Sequence, residues 1–200
     1  EGRKEATMQP LAEIPDPIPP RWRWLEVLLL FASVSCLLAA FGLHREARFF
    51  ESAPPLVGHG DVEEGTPIAR LRLDRLGLET VVAEGSSQRV LRRSAGRMPA
   101  TGRIVADGSV RGNVVIAAHR DTHFRPLQDV EPGDVLQLEG PDGVARYLVD
   151  WTRVVDPEAI WVTEQRGRDE LTLVTCYPFR WIGPAPERFI VRARKLPSEN

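Results

Sequence analysis

The chain has 200 residues, with 26 Lys+Arg against 28 Asp+Glu and a formal charge of −2. That length houses one sizeable core but scarcely two, and so balanced a charge supplies no global basic field, which excludes nucleic acid as an expected partner. The two cysteines, Cys36 and Cys176, lie far apart, so neither a disulfide framework nor a CxxC metal knuckle is indicated.

In chain order, residues 1–24 come first. Five prolines lie before Arg21, mostly in IPDPIPP, and proline without apolar periodicity predicts an extended tail, expected to be cytoplasmic. Because the chain opens on Glu1 rather than methionine, its first residues are expected to be missing. Residues 25–43, LEVLLLFASVSCLLAAFGL, carry Glu26 as their only charge and would rise about 28 Å as a helix, close to the roughly 30 Å of a bilayer's hydrocarbon. A transmembrane helix is the expectation, since a cleaved signal peptide or a soluble core helix fits its length and its two serines less well. Arg21, Trp22, Arg23 and Trp24 supply the interfacial aromatic and cationic residues, and the charge bias places the N-terminus inside. Cys36 then reads as a small apolar packing residue. Residues 44–65, rich in Pro, Gly and acids from Ser52 onward, form a tether in which His44 and His59 are solvated.

The folded part, 66–200, is expected outside the membrane. In IARLRLD, Ile68, Leu71 and Leu73 interleave with Arg70, Arg72 and Asp74, and LETVVAE resumes after Gly77, which predicts a hairpin. Ser86 or Ser87 can cap a short helix reaching Ser94. NVVIAAH, residues 113–119, is a near-continuous apolar strand, and VLQLEG is joined to VARYLVDWTRVV through Pro141-Asp142-Gly143. Close-spaced strands with few helices predict an all-β or mainly β antiparallel sheet closed into a barrel.

LTLVTCYPF, residues 171–179, places Thr172, Val174 and Cys176 on one strand face, with Cys176 at the strand's end ahead of Tyr177-Pro178. Pro178 cannot extend a ladder, so the chain turns away there and leaves the thiol near a rim. Two readings of Cys176 stand at this point: an inert buried thiol, or a nucleophile, which needs a base and a cation. His119 ends the NVVIAA strand as Cys176 ends its own, and is the acid/base candidate. HRDTH is a poor metal site, because a strand leads into His119 and no further Cys or His cluster completes it, so His123 reads as a surface or supporting residue. Arg188 opens the alternating RFIVRAR, 12 residues after Cys176, a separation one loop can close. Its guanidinium could favour a thiolate or donate to an oxyanion.

TLVTC (172–176), AAHRDT (117–122) and RFIV (188–191) together resemble the sortases over roughly residues 66–195. The resemblance implies a membrane-anchored cysteine transpeptidase on a closed β-barrel, with Cys176 the nucleophile, His119 the acid/base and Arg188 the oxyanion and substrate-positioning residue. It also implies Thr175 in the substrate groove, an LPxTG-like peptide sorting signal as substrate, an amine as acceptor, and no cofactor. Some members of the family bind calcium through loop acids, but no dense acidic cluster with calcium-loop spacing is present here, so neither calcium nor another metal is expected. RDTHFRPLQDV is most similar to the pilus-assembling or Gram-negative subgroup. The corresponding location is the inner (cytoplasmic) membrane, single-pass, with the catalytic domain extracytoplasmic. The alternatives are another envelope cysteine acyl transferase of the L,D-transpeptidase type, which usually carries His-Gly beside its cysteine, a simple cysteine hydrolase, and a tethered β-barrel that binds a partner without catalysis.

Overall fold

The computed structural model describes residues 24–38 and 62–197, and the chain divides into two compact units, Glu1–Leu43 and His44–Asn200. In the first unit α1 covers 24–38, and its apolar side chains from Leu25 to Leu38 are exposed, as is Cys36. Among the described residues no helix is long and apolar enough to cross a membrane. Residues 39–43 of the expected span lie outside the described residues, as do the proline-rich tail through residue 23 and the tether from 44 to 61.

The second unit is a closed eight-stranded barrel. Its strands are β1 Pro67–Leu73, β2 Leu78–Glu84, β3 Ala95–Arg97, β6 Asn113–Ala117, β7 Val135–Gly140, β8 Gly143–Val155, β9 Glu170–Tyr177 and β10 Glu187–Lys195, with β4 Arg103–Ile104 and β5 Val110–Arg111 forming a separate small pair. Around the barrel the order is β1-β2-β3-β6-β9-β10-β8-β7, and β7 closes on β1. Both predicted hairpins form. Gly77, in the left-handed conformation at φ 62°, turns β1 into β2 in register Leu73↔Leu78, and Gly140 faces Gly143 at the other turn.

Two expectations change. The helix predicted over 86–94 shrinks to α2, Gln88–Leu91. Ser87 occupies the capping position, but its hydroxyl bonds the Glu64 carboxylate and holds it below the usual carboxylate range, while Ala95–Arg97 are drawn into a parallel ladder with Val82–Glu84. The barrel is also not purely antiparallel, because β6 runs parallel to β9 in register Asn113↔Glu170 to Ala117↔Val174. A strand apolar on both faces suits a parallel ladder covered on each side, and Asn113–Ile116 are all buried.

Alternation sets the two faces. Val114, Ile116, Leu171, Leu173, Val191 and Ala193 join the interior cluster with Leu71, Phe124 and Tyr147. Val115, Thr172, Ile190 and Arg192 point the other way, yet are buried, because the β8–β9 connection folds over them. Asn113 Nδ2 donates to the carbonyls of Val162 (2.9 Å) and Glu164 (3.1 Å), its Oδ1 accepts from Thr172 (2.6 Å), and Arg192 Nη2 donates to Val162 O (3.0 Å). Arg192 also pairs with Glu170 and lies 5.4 Å from the Trp151 ring centroid. This cover sits at the start of β9, whereas Val174 and Cys176 at its far end remain partly exposed.

Candidate active site

The parallel pairing of β6 with β9 sends both strands toward the same rim, and β10, antiparallel to β9, starts from it. Cys176 and Arg188 are direct cross-strand partners, so their side chains leave the sheet side by side. On the opposite flank the last registered pair is Ala117↔Val174, and the Ala118 amide still donates to the Val174 carbonyl at 3.2 Å. His119 and Cys176 each lie two residues past that pair. The backbone thus brings the three predicted residues to one rim, with Cys176 in the middle.

Each is held by different means. Cys176 is a free, partly exposed cysteine within the ladder, and β9 ends one residue later at Tyr177, which precedes Pro178 through a cis peptide bond. Arg188, partly buried, donates from Nη1 to the carbonyls of Ala185 (3.2 Å) and Glu187 (2.8 Å). Its other guanidinium nitrogens make no hydrogen bond among the described residues. His119 lies beyond the ladder on a turn whose far end is Phe124: the Phe124 amide donates to the His119 carbonyl at 3.1 Å, and the Phe124 ring is fully buried.

Thr175, expected at the substrate groove, is placed elsewhere. It points inward, is 2% exposed, and its hydroxyl donates to the Ala118 carbonyl at 2.7 Å. The residue before Cys176 thus braces the residue before His119. His123 sits with Nδ1 3.1 Å from the buried Thr80 hydroxyl, which ties the turn to β2. Among the described residues no group of three or more His, Cys, Asp or Glu side chains gathers in a metal-ligating way.

Two further features of this rim are not named by the sequence reading. Tyr177, Phe179 and Phe189 pack as a trio, with ring centroids 5.3–6.3 Å apart, immediately behind the Cys176 rim. Arg120 reaches the β9–β10 connection through the Trp181 and Gly183 carbonyls. Alternating aromatics around TCYPF hint at the first, but no spacing signals the second.

Residues 71–196 match the profile of the Sortase domain, well over half of the chain. The chain belongs to the sortase family. Sortase D of Bacillus subtilis (strain 168) is 31% identical over 135 residues, covering 67% of this chain and 66% of the relative, so the chain spans just under two thirds of that protein's length. A Clostridium perfringens Sortase D5 transpeptidase superposes with a TM-score of 0.60 at 27% identity, over 68% of this chain and 83% of that one. Sortase C1 of GBS pilus island 1 does so with a TM-score of 0.59 at 26% identity, over 78% and 80%. The closed barrel described above is accordingly a sortase barrel.

Proposed function

We propose that this sortase is a cysteine transpeptidase acting on a peptide sorting signal similar to LPxTG. The observation that carries the reading is the shared rim: Cys176 and Arg188 are cross-strand partners there, and His119 follows the end of the strand that runs parallel to the one bearing Cys176. The Cys176 thiol gives its proton to His119 as Sγ attacks the carbonyl carbon of the scissile bond, and the tetrahedral oxyanion is met by the Arg188 N–H groups that its own loop leaves unused. As the C–N bond breaks, His119 gives a proton to the departing amine, and a thioacyl enzyme remains. An incoming amine then attacks the thioester carbon, His119 takes a proton from it, and the sulfur leaves as the new amide forms. Bonds and protons balance without a cofactor.

The chain's first unit extends the reading to location. Residues 25–43 hold the enzyme in the cytoplasmic membrane with the N-terminus inside, and the barrel works on the outer side, where secreted proteins present their signals.

The decisive experiment incubates the full chain in detergent with a peptide library and a labelled amine, then identifies the exchanged bond by mass spectrometry. Labelled product from the parent, none from Cys176→Ala, and a trapped acyl adduct on Cys176 are the expected results. Label in no peptide would overturn transpeptidation. Cleavage that ignores added amine would identify a hydrolase, a folded parent that forms neither product nor acyl adduct would reduce the barrel to a binding module, and a Cys176→Ala variant as active as the parent would remove Cys176 as the nucleophile.

A further inference from the structure

His119 is the one member of the site that the barrel ladder does not hold. Immediately after it, Arg120 Nη2 donates to the carbonyls of Trp181 (3.0 Å) and Gly183 (3.4 Å). Those carbonyls lie on the connection that leads from Cys176 to Arg188, so one guanidinium joins the turn carrying the imidazole to the segment joining the sulfur and the cation. The connection is otherwise weakly attached at its tip. Trp181 is half-exposed and Ile182 fully exposed, and Trp181 Nε1 bonds Pro184 O (3.0 Å) within the same segment. Arg120 has no carboxylate partner among the described residues, and its Nη1 is buried without an acceptor. Arg120 is only partly buried and both bonds lie at the surface, but its Nη1 is enclosed, so the guanidinium is held between the turn and the connection.

We propose that Arg120 is a positioning residue that sets the width of the opening above Cys176, and with it the choice between amine and water as the group that resolves the thioacyl enzyme. With the clamp intact, the β9–β10 connection shields the thioester and admits an acceptor only along the His119 side. Without it, the connection swings outward, water reaches the thioester carbon, and His119 loses its fixed distance to the sulfur.

This inference rests on the transpeptidase reading. The test uses the full chain in detergent and compares the parent with Arg120→Ala and Arg120→Lys. The ratio of hydrolysed to aminated product, kcat and KM for the peptide, the melting temperature, and the rate of Cys176 alkylation by iodoacetamide are measured for each. For Arg120→Ala we expect the hydrolysed fraction to rise about fivefold, kcat for transfer to fall about tenfold with peptide KM little changed, and alkylation to accelerate. Arg120→Lys, whose ammonium can still donate to both carbonyls, should recover most of the loss.

A partition ratio and kcat within about twofold of the parent for a folded Arg120→Ala would overturn the proposal. Should that variant melt early, Arg120→Gln, which keeps the bulk and one donor, decides: a raised hydrolysed fraction supports the clamp, while an unchanged one, or a second failure to fold, sinks it. A parent that transfers to no amine defeats the transpeptidase reading instead, and alkylation rates still report whether the clamp exists.

Discussion

Thr175 bears on the rim from inside the barrel. Its hydroxyl is committed to Ala118 O inside the barrel, so Thr175→Val should leave that carbonyl unpaired at a cost of about 1–3 kcal/mol and lower kcat by loosening the approach to His119. Thr175→Ser should restore both, as denaturant melts and steady-state kinetics would show, and a Val variant as active as the parent would refute the brace. Arg188 makes a complementary case. Removing an oxyanion donor costs about 10²–10³ in kcat, and Arg188→Ala should fall in that range. Arg188→Lys should recover little, because a compact ammonium cannot keep the bonds to Ala185 and Glu187 while also donating to the substrate. Recovery to parental kcat by lysine would show that charge alone suffices. At this scale strand-end placement and motif single out Cys176, His119 and Arg188, but they do not say that the Thr175 side chain turns inward. Period-two alternation says that Thr175 opposes Cys176, and only the closed barrel says that its side is the interior.

Between elements, buried and half-buried polar side chains tie the connections to the barrel. The β8–β9 connection is pinned by Asn113, whose side chain satisfies two carbonyls and one hydroxyl at once. Asn113→Ala should cost about 3 kcal/mol and expose residues 156–169 to proteolysis well before the barrel unfolds, and proteolysis no faster than the parent's would refute the pin. A second tie joins Arg75, in the β1–β2 turn, to Asp134 ahead of β7. The hydrogen-bonded Arg75 guanidinium holds the Asp134 carboxyl below its ordinary value near 3.8, against the opposing effect of burial. A depressed folded-state pKa stabilises above the unfolded value and ceases to do so as pH falls through the folded one. Asp134→Asn should therefore lower Tm by several degrees at pH 7, with the gap to the parent closing below about pH 4. Thermal melts across pH 2–7 check the sign. The hairpins around Gly77 and Pro141-Asp142-Gly143 were legible because turn chemistry is local. The α2 boundary was not, since pairing between β3 and β2 competes for Ala95–Arg97.

The whole molecule is a barrel whose interior is shared by every strand, so truncating one central side chain should be felt globally. Leu173→Ala, fully buried on the site-bearing strand, should cost about 2–5 kcal/mol and lower Tm cooperatively, and a loss under about 1 kcal/mol would mean the interior relaxes freely. At the same scale, the proposed membrane attachment predicts that the full chain resists carbonate extraction from membranes while a chain lacking residues 25–43 does not. Release of the full chain would remove the anchor. Composition, alternation and turn residues were enough to determine a mainly β domain, its strand pairs on either side of short turns and the residue types able to do acyl-transfer chemistry, because each depends on neighbours within a few positions. The tertiary structure alone decided that β6 lies parallel to β9, that His119 and Cys176 consequently end at one rim with Arg188 opposite, and that Arg120 spans to the Trp181 segment. Those relations join residues tens of positions apart, and barrel closure sets their distance and direction, which no local period encodes.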